Sequence, residues 1–372
     1  MTPSQTLRIC AASVCAATFY LAGATVCRAE QAAPPAPTEA APSSAITTAE
    51  DAYEYLTGLR RPLPESEAER VEALIRAARA ENAADTRWPI ALAILSRSRT
   101  IADGESLARE AVQNAANSAD AWYAFAVYLN STGSSQPTME QVERTRAAVK
   151  ALENALILEP AHAGALEMAV EYYATAPASA GGDREKAIML SDRMMADEAI
   201  RWRGAELRAL ICMVGRDWTG FDRWSEQAIM WATTPAAQRD ARMQQALIHL
   251  SFNQNYEKAL ALSEPFAQPG LPEADRFSFV VGQAAYRLGR YDLAAEHYRR
   301  VIEAGDPPPN ALLDLSDCLR REGDLEGAIA MIDRFLERFP AHPRERDVRL
   351  TRSALDTQLQ QRRQAEQPAP SE

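Results

Sequence analysis

The sequence predicts an all-α protein built from short helices that pack against one another, and three observations lead there. Alanine is abundant, whereas glycine is sparse, with 16 glycines in 372 residues. Most of the chain lacks the alternation of polar and apolar residues that marks half-buried strands. Helical segments recur instead, separated by short breaks at Gly, Pro, Asn or Asp. A continuous array of such helices fits this length as well as two or three compact domains do.

The first 29 residues have the pattern of a secretory signal peptide. Arg8 precedes an uncharged stretch over residues 9–27, and Ala29 places a small residue at the cleavage point. We therefore expect a periplasmic or otherwise exported protein. The alternative is a membrane-anchored form with periplasmic repeats, because the uncharged stretch approaches the ~20 residues that span a bilayer.

The next segments differ in composition. Residues 30–48 are rich in Ala, Pro, Ser and Thr, which predicts a disordered linker. Residues 49–85 predict an N-terminal helical segment, in which Ser66 and Glu69 have the spacing of a capping box. At the other end, residues 364–372 predict a disordered tail.

A spacing of 34 residues recurs at both ends of the central region. It separates three pairs of like residues: Trp88 and Trp122, Gly289 and Gly323, and Ala294 and Ala328. On these positions, residues 86–342 resemble the tetratricopeptide repeat (TPR) family, whose unit is a helix pair of 34 residues. The resemblance implies a right-handed superhelical solenoid of antiparallel helix pairs. We count seven repeats, at about 86–118, 119–162, 163–201, 202–238, 240–274, 275–308 and 309–342.

The spacing has physical reasons. Gly282 lies where two helices of a pair approach closely. Gly289 and Gly323 fit the turn, where a left-handed residue ends the first helix. Residues 343–363, with Leu350, Ala354, Leu355 and Leu359, predict a helix that caps the open end of the array.

The sequence contains no pattern that indicates an active site. The four histidines are scattered, and no metalloprotease, nucleophile-elbow or nucleotide-binding motif occurs. No Cys and His residues have zinc-ligand spacing. We therefore predict a protein that is not an enzyme and has no catalytic residue, metal or cofactor. Cys212 and Cys318 lie three repeats apart, too far for a disulfide, so we expect free thiols.

The net charge restricts the class of partner. The formal charge is −11, and cleavage after Ala29 removes two arginines, which makes it about −13. Such a surface disfavours nucleic acids and anionic lipids, since phosphate binding depends on clustered Lys and Arg. We expect a protein or peptide partner, and no direct membrane binding unless the N-terminal segment is retained as an anchor.

The resemblance also implies a binding site, because ligands of the family usually lie in a concave groove lined by the first helix of each repeat. Transferred groove positions give the candidates Arg276, Phe279, Gln283, Tyr286, Arg287, Arg320, Arg321, Asp120, Tyr123, Glu167 and Glu171. The four arginines predict a basic cluster for an acidic segment. The alternative is that they pair with acids within the array, such as Asp317.

Two questions of function stay open on the sequence. An aromatic cluster, formed by Trp202, Trp218, Trp224, Trp231 and Phe221, fits either a docking site or ordinary core packing. The leading hypothesis for the whole chain is a periplasmic scaffold or adaptor that holds a partner segment in the groove. The alternative is a structural accessory subunit of an envelope enzyme or of a transport or assembly complex.

Overall fold

The computed structural model describes residues 46–58, 62–131, 139–305 and 307–366, and the all-α prediction is confirmed for them. These residues form seventeen α-helices and no strand. The predicted signal peptide, most of the predicted linker and the end of the predicted tail lie outside the described residues. The chain divides after Ala232 into two compact units.

The N-terminal unit contains ten of the described helices, and each odd-numbered helix packs against the next even-numbered one. They are α1 (Ala49–Thr57), α2 (Glu65–Glu81), α3 (Arg87–Leu95), α4 (Gly104–Asn114), α5 (Ala119–Ser131), α6 (Met139–Leu158), α7 (Ala163–Thr175), α8 (Arg184–Met195), α9 (Arg201–Val214) and α10 (Trp218–Trp231). A 3-10 turn, Ala178–Ala180, lies between α7 and α8.

The C-terminal unit contains the other seven described helices. They are α11 (Pro235–Ile248), α12 (Tyr256–Ser263), α13 (Ala274–Arg287), α14 (Tyr291–Glu303), α15 (Pro309–Glu322), α16 (Leu325–Arg338) and α17 (Glu345–Glu366). A π-helical turn, His249–Asn253, continues α11, and a 3-10 turn, Glu264–Phe266, follows α12.

The helix pairs from α3/α4 to α15/α16 correspond to the seven predicted repeats. The pair α1/α2 precedes them in the predicted N-terminal helical segment, and α11 begins at Pro235, before the predicted start at 240. The close approach predicted at Gly282 is present in the pair α13/α14. A Cβ on Gly282 would lie 2.9 Å from Cε1 of Tyr298, whose side chain is fully buried.

The two faces of each unit differ in how closely neighbouring pairs approach. The first helices of successive pairs contact one another, as α1 contacts α3 and α7 contacts α9. Long side chains bridge the second helices instead. Arg79 of α2 binds Glu110 of α4 at 2.7 Å, and Lys186 of α8 binds Glu153 of α6 at 2.7 Å. We call the surface formed by the first helices the inner face of a unit.

Three arginines, on α8, α14 and α16, each tie a second helix to the end of the second helix before it. Arg193 donates to the carbonyl oxygen of Pro160 at 3.3 Å, and Arg300 donates to that of Ala267 at the same distance. Arg338 donates to the carbonyl oxygen of Gly305 at 3.2 Å. Each accepting carbonyl lies at the C-terminal end of a second helix, where it has no partner within the helix. The three pairs are all 33 residues apart in sequence.

The turns between the two helices of a pair confirm the predicted left-handed residues. Gly289 and Gly323 have φ values of +74° and +87°. After α15, the N–H of Gly323 donates to the carbonyl oxygen of Arg320, and the N–H of Asp324 donates to that of Leu319. These are the two hydrogen bonds of a Schellman motif. Asp324 then caps α16 by accepting from the N–H of Gly327 at 2.8 Å. One short turn thus ends one helix and starts the next.

Two turns use a larger residue at the left-handed position. Arg216 and Gln254 have φ values of +56° and +52°. The left-handed conformation of Gln254 follows from the π-helical turn before it. After this turn the N–H of Asn255 donates to the carbonyl oxygen of His249. A residue with a Cβ is strained in this region, by about 1–2 kcal/mol.

Replacing Gln254 with glycine is therefore expected to stabilise the protein. The side chain of Gln254 is exposed, so little packing is lost. We expect the free energy of unfolding to rise by ~0.5–1 kcal/mol, because glycine relieves the strain but costs backbone entropy. Urea denaturation of the full chain measures it. Gln254→Ala is the control and should give no gain, since alanine keeps the Cβ; equal gains from both variants would contradict the explanation.

The start of the N-terminal unit differs from the expectation in two ways. Ile46 is buried and Thr48 caps α1 in a capping box with Asp51, so the end of the predicted linker is ordered structure. The capping box predicted at Ser66 is wrong. Helix α2 begins at Glu65 after Pro64, which places Ser66 inside the helix and leaves the N-terminus without a side-chain cap.

The predicted capping helix is α17, and it extends to Glu366, past the predicted end of the helix at 363. It packs against α16 through a stripe that begins at Val348 and includes Leu355 and Leu359. Leu350 and Ala354 were expected on the same stripe but are exposed, Leu350 at 65%. Positions 348, 355 and 359 follow the helical repeat of 3.6 residues, whereas 350 and 354 lie on another side of the helix.

Candidate functional site

Polar side chains connect the first helices across the inner face of the N-terminal unit. We call this set the inner-face ladder, and its members lie on or next to α1, α3, α5, α7 and α9. They are Tyr53, Arg97, Asp120, Tyr123, His162, Glu167, Glu171, Arg203 and Glu206. The sequence had given four candidates in this unit. Asp120, Glu167 and Glu171 form polar contacts of the ladder, and Tyr123 packs beneath the ladder in the core.

The first part of the ladder is centred on Asp120. Its carboxylate accepts from the hydroxyl of Tyr53 at 2.7 Å and lies 3.0 Å from Nε2 of His162. Nδ1 of His162 accepts from the N–H of Ala165 at 3.0 Å and thereby caps α7. Nε2 must then carry the proton that is donated to Asp120. Burial opposes ionisation of Asp120, but the hydrogen bonds from His162 and Tyr53 hold its pKa below the ordinary value.

Tyr123 belongs to the core and not to the binding surface, so its prediction as a contact residue is corrected. Its side chain is only 3% exposed and its ring lies 5.0 Å from that of His162. The ring also packs on Gly164, where a Cβ would lie 2.6 Å from Cζ of Tyr123. Its hydroxyl accepts from Nη1 of Arg97 at 3.1 Å. Tyr123 therefore positions Arg97, which itself is exposed.

The second part of the ladder is a group of charges, which we call the Arg203 cluster. It consists of Arg97, Glu167, Glu171, Arg203 and Glu206. The Arg203 guanidinium contacts three carboxylates, through Nε to Glu167 at 3.0 Å, Nη1 to Glu206 at 2.7 Å and Nη2 to Glu171 at 3.2 Å. It joins α7 to α9. The side chains of Arg203, Glu167 and Glu171 are 21%, 18% and 17% exposed, so the cluster lies in a recess that solvent still reaches.

The recess changes the acidity of Glu171. Burial raises the pKa of its carboxyl to about 8, and the negative charge of Glu167 acts in the same direction. Arg203 and Arg97 oppose the shift but do not cancel it. Burial also weighs against the charge of Arg203, yet the surrounding glutamates keep its pKa above the ordinary value. The guanidinium is thus a fixed cation, and Glu171 is the member whose charge can change.

Two candidates of the C-terminal unit, Phe279 and Arg276, are covered by neighbouring residues. Phe279 was expected in the groove but is 2% exposed and packs edge-on against Tyr298, so it is a core residue. The side chain of Arg276 is 10% exposed, contacts Glu273 and lies 3.8 Å from Asp240. Both predictions are corrected. The two residues lie three positions apart on one side of α13, and neighbouring residues cover both side chains.

Asp317 forms hydrogen bonds with three other candidates of this unit. Its carboxylate accepts from the hydroxyl of Tyr286 at 2.8 Å, from Nε of Arg321 at 2.7 Å and from Nε of Arg320 at 3.0 Å. Arg321 also lies over the ring of Tyr291, 4.5 Å from its centroid. Burial and the carboxylate of Asp317 raise the pKa of Tyr286 to about 12.

These contacts favour the alternative for the arginines, which is pairing within the array. Arg276, Arg320 and Arg321 are engaged by carboxylates of the same unit. Arg287 is exposed and forms no ion pair with any other described residue. Gln283 is partly exposed beside it. Of the four arginines in the predicted basic cluster, only Arg287 thus has no ion pair among the described residues.

The aromatic cluster is neither fully core nor fully exposed. Phe221 is buried at 2%, whereas the four tryptophans are partly exposed. Trp224 lies between Arg208 and Arg223, with guanidinium carbons 5.5 Å and 5.2 Å from its ring. Such cation–π contacts explain how a tryptophan is held at a surface.

The groups of the inner-face ladder are donors and acceptors in ion pairs and hydrogen bonds. Over the described ranges, no group of three or more His, Cys, Asp or Glu residues is arranged to hold a metal ion. No helix in the described part of the chain is long and apolar enough to cross a membrane.

Sequence reasoning missed Arg97, Arg203, His162 and Tyr53. Arg203 lies in the fourth repeat, to which no groove position was transferred. His162 could have been found, because it directly precedes a helix, as N-cap residues do. Arg97 follows the end of α3, outside any helix position that a repeat pattern assigns.

Comparison with known proteins agrees with the geometry. The tetratricopeptide repeat model matches residues 243–309 and 282–343. No curated protein matches the sequence. Among solved structures, yeast Tom70 is similar over 93% of this chain and 70% of its own, with 9% identity and a TM-score of 0.54. A tetratricopeptide repeat protein from Parabacteroides merdae covers 82% of this chain and 96% of its own, with 12% identity and a TM-score of 0.35. At such identities the likeness to Tom70 concerns the fold alone.

Proposed function

We propose, since the chain is a tetratricopeptide-repeat protein, that it is a non-enzymatic scaffold or adaptor that binds a segment of a partner protein on the inner face of its N-terminal unit. The fold points to protein–protein interaction. The composition of residues 1–29 supports the further proposal that the protein acts in the periplasm or another exported location.

One observation carries the choice of surface. The inner-face ladder is a continuous row of charged and hydrogen-bonding groups across successive first helices. Apolar residues at these positions could join the helices as well, because the loss of water around paired charges offsets most of their attraction. Groups of this kind give an interface its register and specificity. A polypeptide segment supplies the charged and amide groups that such a row can bind.

A photo-crosslinking experiment tests this proposal. One variant carries a photoreactive amino acid in place of Asn130, an exposed residue at the end of α5, a first helix. The matched control carries it in place of Lys150, an exposed residue of the second helix α6. In an envelope fraction we expect the same partner to be captured repeatedly from position 130 and not from position 150.

Competition then connects the capture to the ladder. Unlabelled wild-type protein should suppress cross-linking. About tenfold more of the Glu167→Gln variant should be required for the same suppression, which corresponds to a loss of ~1.4 kcal/mol of binding free energy. Equal capture from positions 130 and 150, or equal competition by both proteins, would reject the inner face. Capture from position 150 alone would support a structural accessory role through the outer surface.

A further inference from the structure

The Arg203 cluster contains more carboxylates than cations. Three glutamates, Glu167, Glu171 and Glu206, are grouped with two arginines, Arg203 within the recess and Arg97 at its exposed edge. All three glutamates contact the single guanidinium of Arg203. If every group were ionised, the recess would hold one uncompensated negative charge. A proton on one carboxyl removes that charge without any movement of the chain.

The contacts identify which carboxyl takes the proton. Glu167 accepts from both Nε and Nη2 of Arg203, and Glu206 accepts from Nη1 at 2.7 Å. Glu171 has only the longest of these contacts, 3.2 Å, to an Nη2 that it shares with Glu167. It lies on the same face of α7 as Glu167, four residues away, where two like charges repel.

Titratable side chains from four elements surround Glu171. The segment after α3 contributes Arg97, whose guanidinium donates to the hydroxyl of Tyr123 of α5. Tyr123 itself is neutral, because burial raises its pKa. Helix α9 contributes Arg203 and Glu206, and α7 contributes Glu167. Two cations and two competing anions therefore surround the carboxyl, and no further cation among the described residues is in contact with it.

We propose that Glu171 is a proton-dependent switch on the inner face of the N-terminal unit. With Glu171 protonated the recess has no net charge, and with Glu171 ionised it has a charge of −1 next to the bridge between α7 and α9. The proposal rests on the proposed function, since it makes partner binding on this face depend on pH. Ionisation favours a cationic group of a partner and disfavours an anionic one.

The direction of the pKa shift fixes the sign of the effect on stability. The folded-state pKa of Glu171 is about 8, against 4.5 for the unfolded chain. Between these values the folded state binds more protons than the unfolded state, so stability falls as pH rises through the window. The charge of the recess changes mainly around the folded-state pKa of about 8. The switch thus operates from neutral to mildly alkaline pH.

The test uses the free full-length protein. Glutamate labelled with carbon-13 at the side-chain carboxyl reports each titration by NMR, and the Glu171→Gln variant identifies the signal of Glu171 by its loss. We expect that signal to titrate near pH 8, at least two pH units above the exposed glutamates. In Glu167→Gln the midpoint should fall by about one pH unit, because a like charge is removed. The second variant keeps the test decisive if Glu171→Gln folds poorly.

Thermal melting from pH 6 to 9 gives an independent readout. The melting temperature of the wild type should fall across this range, and that of Glu171→Gln should fall less, because glutamine imitates the protonated form. Glu105→Gln, which removes an exposed carboxylate of α4, is the control and should follow the wild type. A Glu171 midpoint near pH 4–5 overturns the switch and leaves the proposed function untouched. Failure of the cross-linking experiment with a midpoint near 8 rejects only the binding surface.

Discussion

Replacing Arg203 with alanine is expected to lower the free energy of unfolding by about 2–4 kcal/mol. Among the described residues, this guanidinium is the only group that contacts Glu167, Glu171 and Glu206 together, and its removal leaves three carboxyl groups facing one another in a recess. Loss of one partner of a buried ion pair costs about 3–5 kcal/mol, and we place this effect somewhat lower because the side chain is 21% exposed. Chemical denaturation at pH 7 measures the change.

Two further variants separate this cause from a general loss of packing. Arg109 pairs with Glu105 on the surface of α4, and Arg109→Ala should cost no more than about 0.5 kcal/mol. Adding Glu167→Gln to Arg203→Ala should recover part of the loss, because one of the unpaired charges is gone. If Arg203→Ala and Arg109→Ala cost the same, the cluster contributes nothing beyond a surface ion pair.

Replacing Leu355 with aspartate should detach the capping helix and destabilise the C-terminal unit by ~3 kcal/mol or more. Leu355 is 4% exposed and belongs to the same core as Ile332 and Phe335 of α16. The substitution removes apolar packing and places a carboxylate against that core. The exposed surface of α16 should then promote aggregation, because the end of a repeat array depends on its cap for solubility.

The same helix provides the matched control for this prediction. Leu350→Asp makes the identical chemical change at a side chain that is 65% exposed, and it should change stability by less than ~0.5 kcal/mol. Thermal melting and light scattering of both variants measure the difference. Equal behaviour of the two would mean that α17 does not cap the unit through Val348, Leu355 and Leu359.

The fold was predictable because each repeat carries its own local signals. Gly289 and Gly323 mark left-handed turns that few other residues adopt without strain, and Gly282 marks a helix contact with no room for a side chain. The two turn glycines are 34 residues apart, and none of these features depends on distant parts of the chain. The Schellman motifs and their Asp caps follow from the same short stretches.

The candidate site was predictable only in part, because it depends on contacts between helices far apart in sequence. Asp120, Glu167 and Glu171 were identified from groove positions, but their partners His162 and Arg203 were not. Glu167 and Arg203 are 36 residues apart, and the flexible arginine side chain contacts two successive turns of the neighbouring helix. An aromatic residue also suits either side of a helix, which explains why Phe279 and Tyr123 were assigned to the groove although they pack in the core.

The three arginines that bind the carbonyl oxygens of Pro160, Ala267 and Gly305 have a consequence for how such a chain can evolve. Each connector joins two consecutive repeats, and its donor and acceptor are always 33 residues apart. Duplication or loss of residues 268–305 therefore restores the same spacing between a carbonyl and an arginine at the new junction, whereas an insertion of a few residues within either span displaces it. In this part of the chain the number of repeats can thus change in a single genetic event that keeps the connection.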